Sequence, residues 1–457
     1  MRSTVMERLY STFDKKTHIA PLAVLRIAFG SIMLVSTIRF LFRGWVYAFY
    51  IKPGFHFTFY GFDWIKPLGA FGMYALFALL IVAAVLIILG LFYRVAGIAF
   101  FIGFTYVELI DKTTYLNHYY FISVMAFLML WVPAHRYFSL DVARKPELQI
   151  SQVPIWTTGI FKLQLVLVYF FAGISKLTYD WLIVAIPLKI WLPANSQFPI
   201  IGPLLTHQWV AFFFSWAGML FDLLIGFFLL SRKTRKPAYI LVIIFHLATG
   251  LFFKIGMFPY IMICVTVIFF SPETHIRIIN FLRKVLFRSG NKTLKTNAVY
   301  QLAPNKLKLV LAVLMIHFSI QLLLPLRYLL YPGKLYWTEE GYRFSWRVML
   351  MEKGGTAFFH VKDPATGKQT EIINSAYLTG FQERQMATQP DMILQFAHFL
   401  AHEYQQKGIK NPVVTADSYV TLNGSGSRLY IDSKVNLAKE QENFAHKKWI
   451  LPFKQTE

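Results

Sequence analysis

Long apolar blocks constrain this chain more than any other feature of its sequence. A helix needs roughly 20 residues to cross a bilayer. Blocks near this length lie at about 20–40, 68–91, 95–110, 119–133, 159–178, 209–230, 238–253, 256–270 and 307–325, of which the third, fourth, seventh and eighth are short. Only 15% of the residues are charged, against about 25% in a soluble domain. We therefore predict a polytopic α-helical membrane protein with about nine transmembrane helices.

The basic residues are distributed unevenly between the loops that connect these blocks. With a cytoplasmic N-terminus, the loops on that side carry 19 lysine and arginine residues, and the opposite loops up to residue 270 carry six. This asymmetry is the positive-inside pattern, and it predicts that the region after the last span lies outside the cytoplasm. Topology signals and contacts with lipid headgroups thus account for the net charge of +23 without a nucleic-acid partner.

The composition changes near residue 330. We divide the chain into a transmembrane helical domain, 1–329, and a small mixed α/β domain outside the membrane, 330–457. Asp391–Gln405 has the apolar spacing of an amphipathic helix. Alternating patterns predict strands at Tyr342–Leu350, Phe358–Val361, Val413–Leu422 and Arg428–Ile431, the last two forming a hairpin.

Ionisable side chains inside apolar spans are costly and therefore point to function. Lys176 ends an apolar run that contains no other charge. Burial there disfavours the charged ammonium, and a neutral amine can act as a general base. The alternative is a lysine that extends its ammonium to the membrane interface, beside Asp180 and Trp181.

Other ionisable residues leave similar alternatives open. The segment Asp111–His118 lies on the same predicted outer side as Lys176 and is either part of a site or a polar loop that caps two helices. His246 is either a buried core histidine or a site residue. Arg26 in the first span and Asp222 in the sixth each require a partner, and one interpretation pairs them with each other.

Several classes of chemistry find no support in the sequence. Its histidines are scattered, without an HExxH motif or paired cysteines at metal-ligand spacing, so we predict no metal site. Cys264 is the single cysteine, which excludes a disulfide within the chain. A hydrolase based on Ser175 and Lys176 would lack the GxSxG elbow.

The ionisable residues belong to longer strings whose order is more specific than any one motif. These strings are PLAVLRIAFG (21–30), LGLFYRVAG (89–97), LIDKTTYLNHYYF (109–121), VYFFAGISKLTYDW (168–181), FHLATGLFFKIGMFPYIM (245–262) and GYRFSWRVML (341–350). In this order they resemble the vitamin K-dependent γ-glutamyl carboxylases and their bacterial relatives, often called HTTM proteins.

The resemblance implies an enzyme that deprotonates vitamin K hydroquinone, in the form of menaquinol or phylloquinol, and reacts it with O2 to give the epoxide. In carboxylating members, the oxygenated intermediate removes a γ-proton from a glutamate side chain, and the carbanion adds CO2. The implied partners are the bilayer, the quinol and a glutamate-containing peptide or protein.

Site residues also follow from the resemblance. The family's catalytic lysine matches Lys176, and its active-site histidine and the preceding asparagine match His118 and Asn117. His246 falls on a further family histidine and is assigned to quinone binding. The other candidates for quinone binding are Arg26, Asp111, Lys112 and Tyr169.

The chain departs from the animal carboxylases, since it lacks their cysteines and a recognisable propeptide-binding region. Epoxidation without protein carboxylation is therefore one alternative. A membrane transport or binding protein with an intramembrane polar site and no catalysis is another, although no inverted repeat is evident. We expect a bacterial inner membrane, a cytoplasmic N-terminus and a periplasmic C-terminal domain.

Overall fold

The structure is a computed structural model that describes residues 15–253, 255–286 and 298–453. Loop charges counted above at positions 1–14, 254 and 287–297 lie outside these residues. Apolar helices build the first part of the chain. They are α1 (Ala20–Phe42), α2 (Gly69–Leu89), α3 (Tyr93–Ile110), α4 (Asn117–Leu130), α5 (Trp156–Ile174), α6 (Gln208–Leu230), α7 (Arg235–Phe252), α8 (Phe258–Thr266), α9 (Pro272–Leu286) and α10 (Pro304–Leu323).

The number of candidate membrane spans can be compared with the prediction. Within the described residues, seven helices are long and apolar enough to cross a membrane, or eight if the pair Phe258–Phe269 and Pro272–Leu286, bent by 117°, counts as one span. The prediction of a polytopic helical membrane protein is confirmed, and the seven to eight candidate spans among the described residues are roughly consistent with the predicted number of about nine. The fourth block forms α4, whose 14 residues extend only about 21 Å, less than a hydrocarbon core of roughly 30 Å.

Two short strands bring distant loops together at one end of the bundle. β1 (Lys16–His18) pairs antiparallel with β2 (Gln152–Pro154), and Gln152 also bridges to Val299. The N-terminal segment, the loop before α5 and the loop before α10 therefore share one end. The charge distribution predicts the same grouping, because all three segments belong to its basic side.

A small mixed α/β unit, which we call the sheet unit, lies at the other end of the bundle. Its antiparallel sheet has the order β4-β3-β5-β6, formed by β3 (Lys353–Lys362), β4 (Gln369–Glu371), β5 (Val413–Leu422) and β6 (Arg428–Leu429). The helices are α11 (Gly380–Met386) and α12 (Pro390–Gln406). Since alternate strand residues point to the same face, Ala357, Phe359 and Val361 are buried together. Phe396 of α12 packs edge-on against Phe359 at 5.0 Å between ring centroids.

The segment Tyr342–Leu350, predicted as a strand, is irregular. Phe344, Trp346 and Met349 have positive φ values of 60°, 59° and 54°, which L-residues adopt in turns and not in strands. Trp346 is 1% exposed and stacks on Tyr120 of α4 at 4.9 Å. The alternating pattern arises because the segment is packed between the bundle and the sheet unit, with side chains buried on both sides.

The sheet unit and the bundle share a hydrophobic core. One cluster of buried residues contains Trp181 and Val210 from the bundle side together with Trp337 and Phe359 from the sheet unit. The shared core fixes the sheet unit over the end of the bundle that holds the candidate site.

Short helical turns connect the main elements at Tyr47–Ile51, Lys112–Thr114, Leu140–Arg144, Pro146–Leu148, Tyr179–Leu182, Leu188–Trp191, Pro193–Asn195, Gly202–Leu205, Val267–Phe269, Leu324–Leu330, Leu335–Thr338, Asn374–Ala376 and Leu437–Lys439.

The two ends of the bundle lead to a topology prediction. Reporter fusions at Ser151, in the loop before α5, should give a cytoplasmic signal, and fusions at Lys410, between α12 and β5, should give the opposite signal. A fusion at Lys292, which lies outside the described residues, should match Ser151. The physical reason is the excess of basic residues at the Ser151 end. Paired alkaline phosphatase and fluorescent-protein fusions measure this, and equal signals at Ser151 and Lys410 would contradict the topology.

Candidate active site

Lys176 lies directly after the end of α5, which Ser175 terminates. Its ammonium donates to the Asp222 carboxylate on α6, with Nζ···Oδ2 at 2.6 Å, and to the Ala172 carbonyl oxygen at 3.3 Å. The Lys176 and Asp222 side chains are only 8% and 9% exposed. Each charge compensates the other in surroundings where either one alone would be costly.

Glycines bring α5 and α6 close enough for this ion pair. A Cβ at Gly173 would lie 2.6 Å from the backbone nitrogen of Leu223, and a Cβ at Gly226 would lie 3.2 Å from Val166. The two backbones therefore approach as closely as small residues allow between membrane helices. Because Gly173 lies just before Lys176 and Leu223 directly follows Asp222, this close approach sets the distance between the two charges.

Lys176 and Asp222 line a small apolar cavity, which we call the lysine cavity. Its volume is about 100 Å³. The Tyr169 hydroxyl lies 2.9 Å from Nε2 of His246 on the cavity wall. Within the described residues, Nδ1 of His246 is buried and has no hydrogen-bond partner. Aromatic rings form much of the remaining wall, from Trp181, Trp191, Phe214, Phe245, Phe253 and Phe258.

A larger cavity adjoins the lysine cavity and contains Asn117 and His118; we call it the histidine cavity. Its volume is about 540 Å³, which is within the usual range for ligand pockets of roughly 300–1,000 Å³. It reaches from the bundle to Phe381 and Gln385 of the sheet unit. The site thus includes a second, larger chamber at the junction of the two parts of the chain.

A shared wall separates the two cavities. Ile255, Phe258, Val348 and Met349 line both of them. The Phe258 ring lies 5.8 Å from the His118 ring and 5.9 Å from the His246 ring between centroids. Asn117 and His118 thus line the histidine cavity, and Lys176 and His246 line the lysine cavity directly beside it.

Asn117 holds the segment that forms this wall. Its Nδ2 donates to the carbonyl oxygen of Arg347 at 2.7 Å. Its Oδ1 accepts from the Tyr115 hydroxyl at 3.2 Å, and the Phe344 amide donates to that hydroxyl at 2.7 Å. The amide of Asn117 is therefore engaged on both sides, and it connects the start of α4 to the irregular segment 342–350.

Arg26 lies far from both cavities, although it is a candidate for quinone binding. Its guanidinium is fully buried and donates to four backbone carbonyl oxygens, those of Ile87, Ile88, Ala134 and Phe138. A Cβ at Gly90, where φ is +63°, would lie 2.5 Å from Nη1 of Arg26. Pairing of Arg26 with Asp222 is wrong. Arg26 instead connects α1 to neighbouring helix ends, at the end of the bundle where β1 and β2 lie.

Asp111 and Lys112 contact the sheet unit and not the histidine cavity. Asp111 is 1% exposed and accepts from His56 Nδ1 at 3.1 Å and from Gln382 Nε2 at 3.0 Å. Lys112 donates to Asp391 at 3.0 Å, while its second carboxylate partner, Glu442, is 3.5 Å away. The structure thus places Asp111 and Lys112 in contacts that join the α3–α4 loop to the sheet unit.

The histidine cavity is also lined by two arginines that are not among the predicted site residues, Arg39 and Arg347. In the part of the chain that the structure describes, the Nε atom of each is buried without a hydrogen-bond partner. Arg39 lies near the end of an apolar block, where a basic residue is ordinarily a topology signal. Arg347 belongs to the segment misassigned as a strand. Arg347 lies within the string GYRFSWRVML, and Arg39 lies nine residues after PLAVLRIAFG. A basic residue in or close to one of these strings is the sequence feature that could have identified both.

Tyr336 connects the end of α5 to the sheet unit. Its hydroxyl donates to the Ser175 carbonyl oxygen at 3.1 Å. Burial raises the pKa of Tyr336 to about 12, so the hydroxyl stays protonated and keeps donating at neutral pH. The backbone that carries Lys176 is thereby held in place from outside the membrane-spanning helices.

Comparison with known protein families gives two matches that follow each other along the chain. Residues 14–273 match the HTTM domain, and residues 306–456 match the vitamin K-dependent gamma-carboxylase, lumenal domain. No solved structure matches the chain. The first match covers the segments that contain Lys176, Asp222 and His118, and the second covers the sheet unit. The chain therefore belongs to the vitamin K-dependent γ-carboxylase family.

Proposed function

We propose that this chain is a membrane enzyme that deprotonates a vitamin K-type hydroquinone and reacts it with O2 to give the quinone epoxide. The observation that carries the proposal is the buried ion pair of Lys176 and Asp222, at 2.6 Å, on the wall of an apolar cavity. Intramembrane ionisable residues ordinarily mark functional sites. A hydroquinone with an apolar tail partitions into the bilayer, where a base inside the helix bundle can reach its ring.

The ion pair can take up the phenolic proton without leaving an isolated charge. A proton first passes from the Lys176 ammonium to the Asp222 carboxylate, which gives a neutral amine and a carboxylic acid. The amine then removes a proton from the hydroquinone hydroxyl. The ammonium formed in this way lies beside the phenolate, and the neutral Asp222 acid keeps the first proton. Asp222 therefore serves as the proton store that makes Lys176 a base.

Tyr169 and His246 provide the polar contacts that orient the ring. Their hydrogen bond at 2.9 Å fixes the imidazole, and Nδ1 of His246 is left without a partner in the described residues. An oxygen of the hydroquinone is a suitable partner, because buried polar atoms are rarely left unpaired. These two residues would hold the ring so that one hydroxyl faces Lys176.

Entry of the ring requires the wall between the cavities to move. The lysine cavity, at about 100 Å³, is smaller than ligand pockets of roughly 300–1,000 Å³. Val348 and Met349 lie on the irregular segment, and Met349 has a positive φ of 54°. We propose that these two side chains swing aside when the ring enters, since Met is flexible and the segment has no strand partner within the described residues.

The oxygenation step is balanced when O2 is the oxidant. One oxygen atom remains in the epoxide, and the other leaves as water with the two hydroxyl hydrogens of the hydroquinone. The aromatic wall excludes bulk water, which would otherwise protonate the strong base that forms.

The second part of the proposal is that this base removes a γ-proton from a glutamate side chain in the histidine cavity, and that CO2 adds to the carbanion.

The test is direct. Purified protein incubated with menaquinol or phylloquinol and O2 should form the quinone epoxide, and the same mixture without O2 should not. Addition of a glutamate-containing peptide and labelled bicarbonate tests the carboxylation step separately. Liquid chromatography with mass detection measures both products. A monodisperse protein that forms no epoxide from any of several quinols would favour the transport or binding alternative.

A further inference from the structure

Helix α9 lies across one end of the bundle and does not continue the direction of α8. The bend between the two helices is 117°. In the first turn of α9, Glu273 interacts electrostatically with His18 of β1. In its third turn, the Arg283 guanidinium lies 5.7 Å from the Phe138 ring centroid. Tyr137, which precedes Phe138, packs edge-on against His18 at 5.1 Å between ring centroids. Both turns of α9 therefore contact the end of the bundle where β1 and β2 lie.

The exposed surface of α9 has an apolar side and a basic side. Ile278, Phe281 and Val285 are spaced by three and four residues, so they lie on one side of the helix. Phe281 and Val285 are largely exposed. Arg277 and Lys284 are separated by two helical turns and form another exposed side. A helix of this kind lies in the membrane interface, with its apolar side at the acyl-chain boundary and its basic side at the headgroups.

The turn between α6 and α7 adds further cations beside α9. Tyr239 of α7 packs edge-on against Phe270, just before α9, at 5.0 Å between ring centroids. Glu273 interacts electrostatically with Arg232 of the turn and with Arg277, and it is the only acid between residues 231 and 286. The exposed cations of this surface, which we call the basic face, are Arg232, Lys233, Lys236, Arg277 and Lys284. The surface thus carries five cations beside a single carboxylate.

Lys162 extends towards the basic face from within α5. It lies six residues, or about 9 Å, from the start of this helix at Trp156. Its electrostatic neighbours are Arg235 of α7 and His275 of α9, which add no negative charge. Its ammonium forms no ion pair within the ranges 15–253, 255–286 and 298–453. An intramembrane lysine without an acid extends its ammonium to the headgroup region, where a lipid phosphate can compensate the charge.

We propose that α9 lies in the membrane interface and that Lys162 and the basic face bind the headgroup phosphate of an anionic phospholipid. Such a lipid fits both parts of the surface, because its phosphate is attracted by the cations and its acyl chains contact Phe281 and Val285. A zwitterionic lipid offers the same acyl chains without net charge, so the cations give the preference for an anionic one. This binding is independent of the proposed function, since neither cavity is lined by these residues.

Native mass spectrometry measures the lipid preference. The purified protein in a neutral detergent is titrated with phosphatidylglycerol, or with phosphatidylcholine of the same acyl chains, and the bound lipids are counted. Wild type should bind phosphatidylglycerol more tightly. Lys162→Gln should weaken that binding roughly fivefold, the value of one cation near a lipid surface, and leave phosphatidylcholine binding unaffected. Arg277→Gln should act in the same direction, and the two substitutions together should weaken it roughly 25-fold.

Lys368→Gln is the matched control, because Lys368 is exposed beside β4 of the sheet unit, at the opposite end of the bundle. It should leave both affinities unchanged. Equal binding of the two lipids by wild type would overturn the proposal, as would an equal loss of phosphatidylglycerol binding in Lys162→Gln and Lys368→Gln. A loss of phosphatidylcholine binding in Lys162→Gln as large as the loss of phosphatidylglycerol binding would also overturn it.

Spin labels test the position of α9 itself. Labels are attached through Phe281→Cys or Asn280→Cys, each in a Cys264→Ser background, in protein that is placed in nanodiscs. The label at position 281 should relax mainly with O2, which concentrates in the bilayer, and the label at position 280 mainly with a water-soluble nickel complex. A label at position 281 that neither reagent reaches would show that a protein surface, such as a second copy of this chain, covers the apolar side of α9. That result would overturn the proposal.

Discussion

Replacing Lys176 by alanine should lower epoxide formation by at least about 10²–10⁴-fold, the usual contribution of a general base. The substitution removes the amine that contacts Asp222 at 2.6 Å and leaves no other amine on the wall of the lysine cavity in the described residues. Lys176→Arg should fail as well, because a guanidinium stays protonated at any accessible pH. The measurement is epoxide formed per unit of folded protein.

Matched variants separate chemistry from folding. Lys176→Ala leaves a buried carboxylate without its cation, which is destabilising in itself. The double variant Lys176→Ala with Asp222→Asn removes both charges and should recover stability while remaining inactive. Lys189→Ala is the control for loss of a lysine near the site, because Lys189 lies over the Phe212 ring outside the cavity. It should retain activity close to that of wild type.

Chemical rescue adds a test of the base itself. A small primary amine can enter the space that the Lys176 side chain leaves, so it should restore part of the epoxide formation in Lys176→Ala. It should have no effect on Lys176→Arg, where the space is filled and the charge is fixed. Full epoxide formation by Lys176→Ala would show that Lys176 is not the base.

The helices of the bundle could be predicted from sequence because each depends on a local property. Apolar blocks of the right length mark α1, α2 and α6 without reference to any other part of the chain. The segment Tyr342–Leu350 shows where this reasoning fails. Its alternation resembles that of a strand, but burial on two sides by the bundle and the sheet unit produces the same pattern.

The candidate site could be predicted only in part, because partners depend on tertiary contacts. Lys176 stands out as a charge in an apolar run, and Asp222 as a residue that needs a partner. The sequence does not indicate that they pair, since the approach of α5 and α6 at Gly173 decides it. Adjacency in sequence also misleads: Asp111 lies near His118 along the chain, but its side chain is directed to Gln382 of the sheet unit.

Replacing Asp391 by asparagine should destabilise the junction between the bundle and the sheet unit by about 2–4 kcal/mol. Asp391 accepts from Arg343 Nη1 at 2.6 Å and from Lys112 Nζ at 3.0 Å. Loss of a partner from a buried ion pair costs about 3–5 kcal/mol, and the 25% exposure of the Asp391 side chain lowers that figure. Thermal unfolding of the purified protein measures the change.

Two comparisons assign this effect to the ion pairs. Glu371→Gln removes an exposed charge on β4 of the same unit and should change the melting temperature little. Combining Lys112→Met with Asp391→Asn should cost less than the sum of the single substitutions, because both remove the same contact. Strictly additive losses would contradict the role of the Lys112–Asp391 pair.

The pH dependence of the junction follows from the same carboxylate. Burial alone would raise the pKa of Asp391, but the Arg343 guanidinium and the Lys112 ammonium outweigh it and hold the pKa well below its ordinary value of 3.8. A lowered folded-state pKa contributes stability that is complete above the unfolded-state pKa and is lost as the pH falls towards the folded-state value. The stability difference between wild type and Asp391→Asn should therefore be constant from about pH 5 to 8. It should shrink below about pH 4, where the unfolded chain binds the proton first. Melting temperatures of both proteins across this range measure it, and a difference that grows on acidification would be the wrong sign for this ion pair.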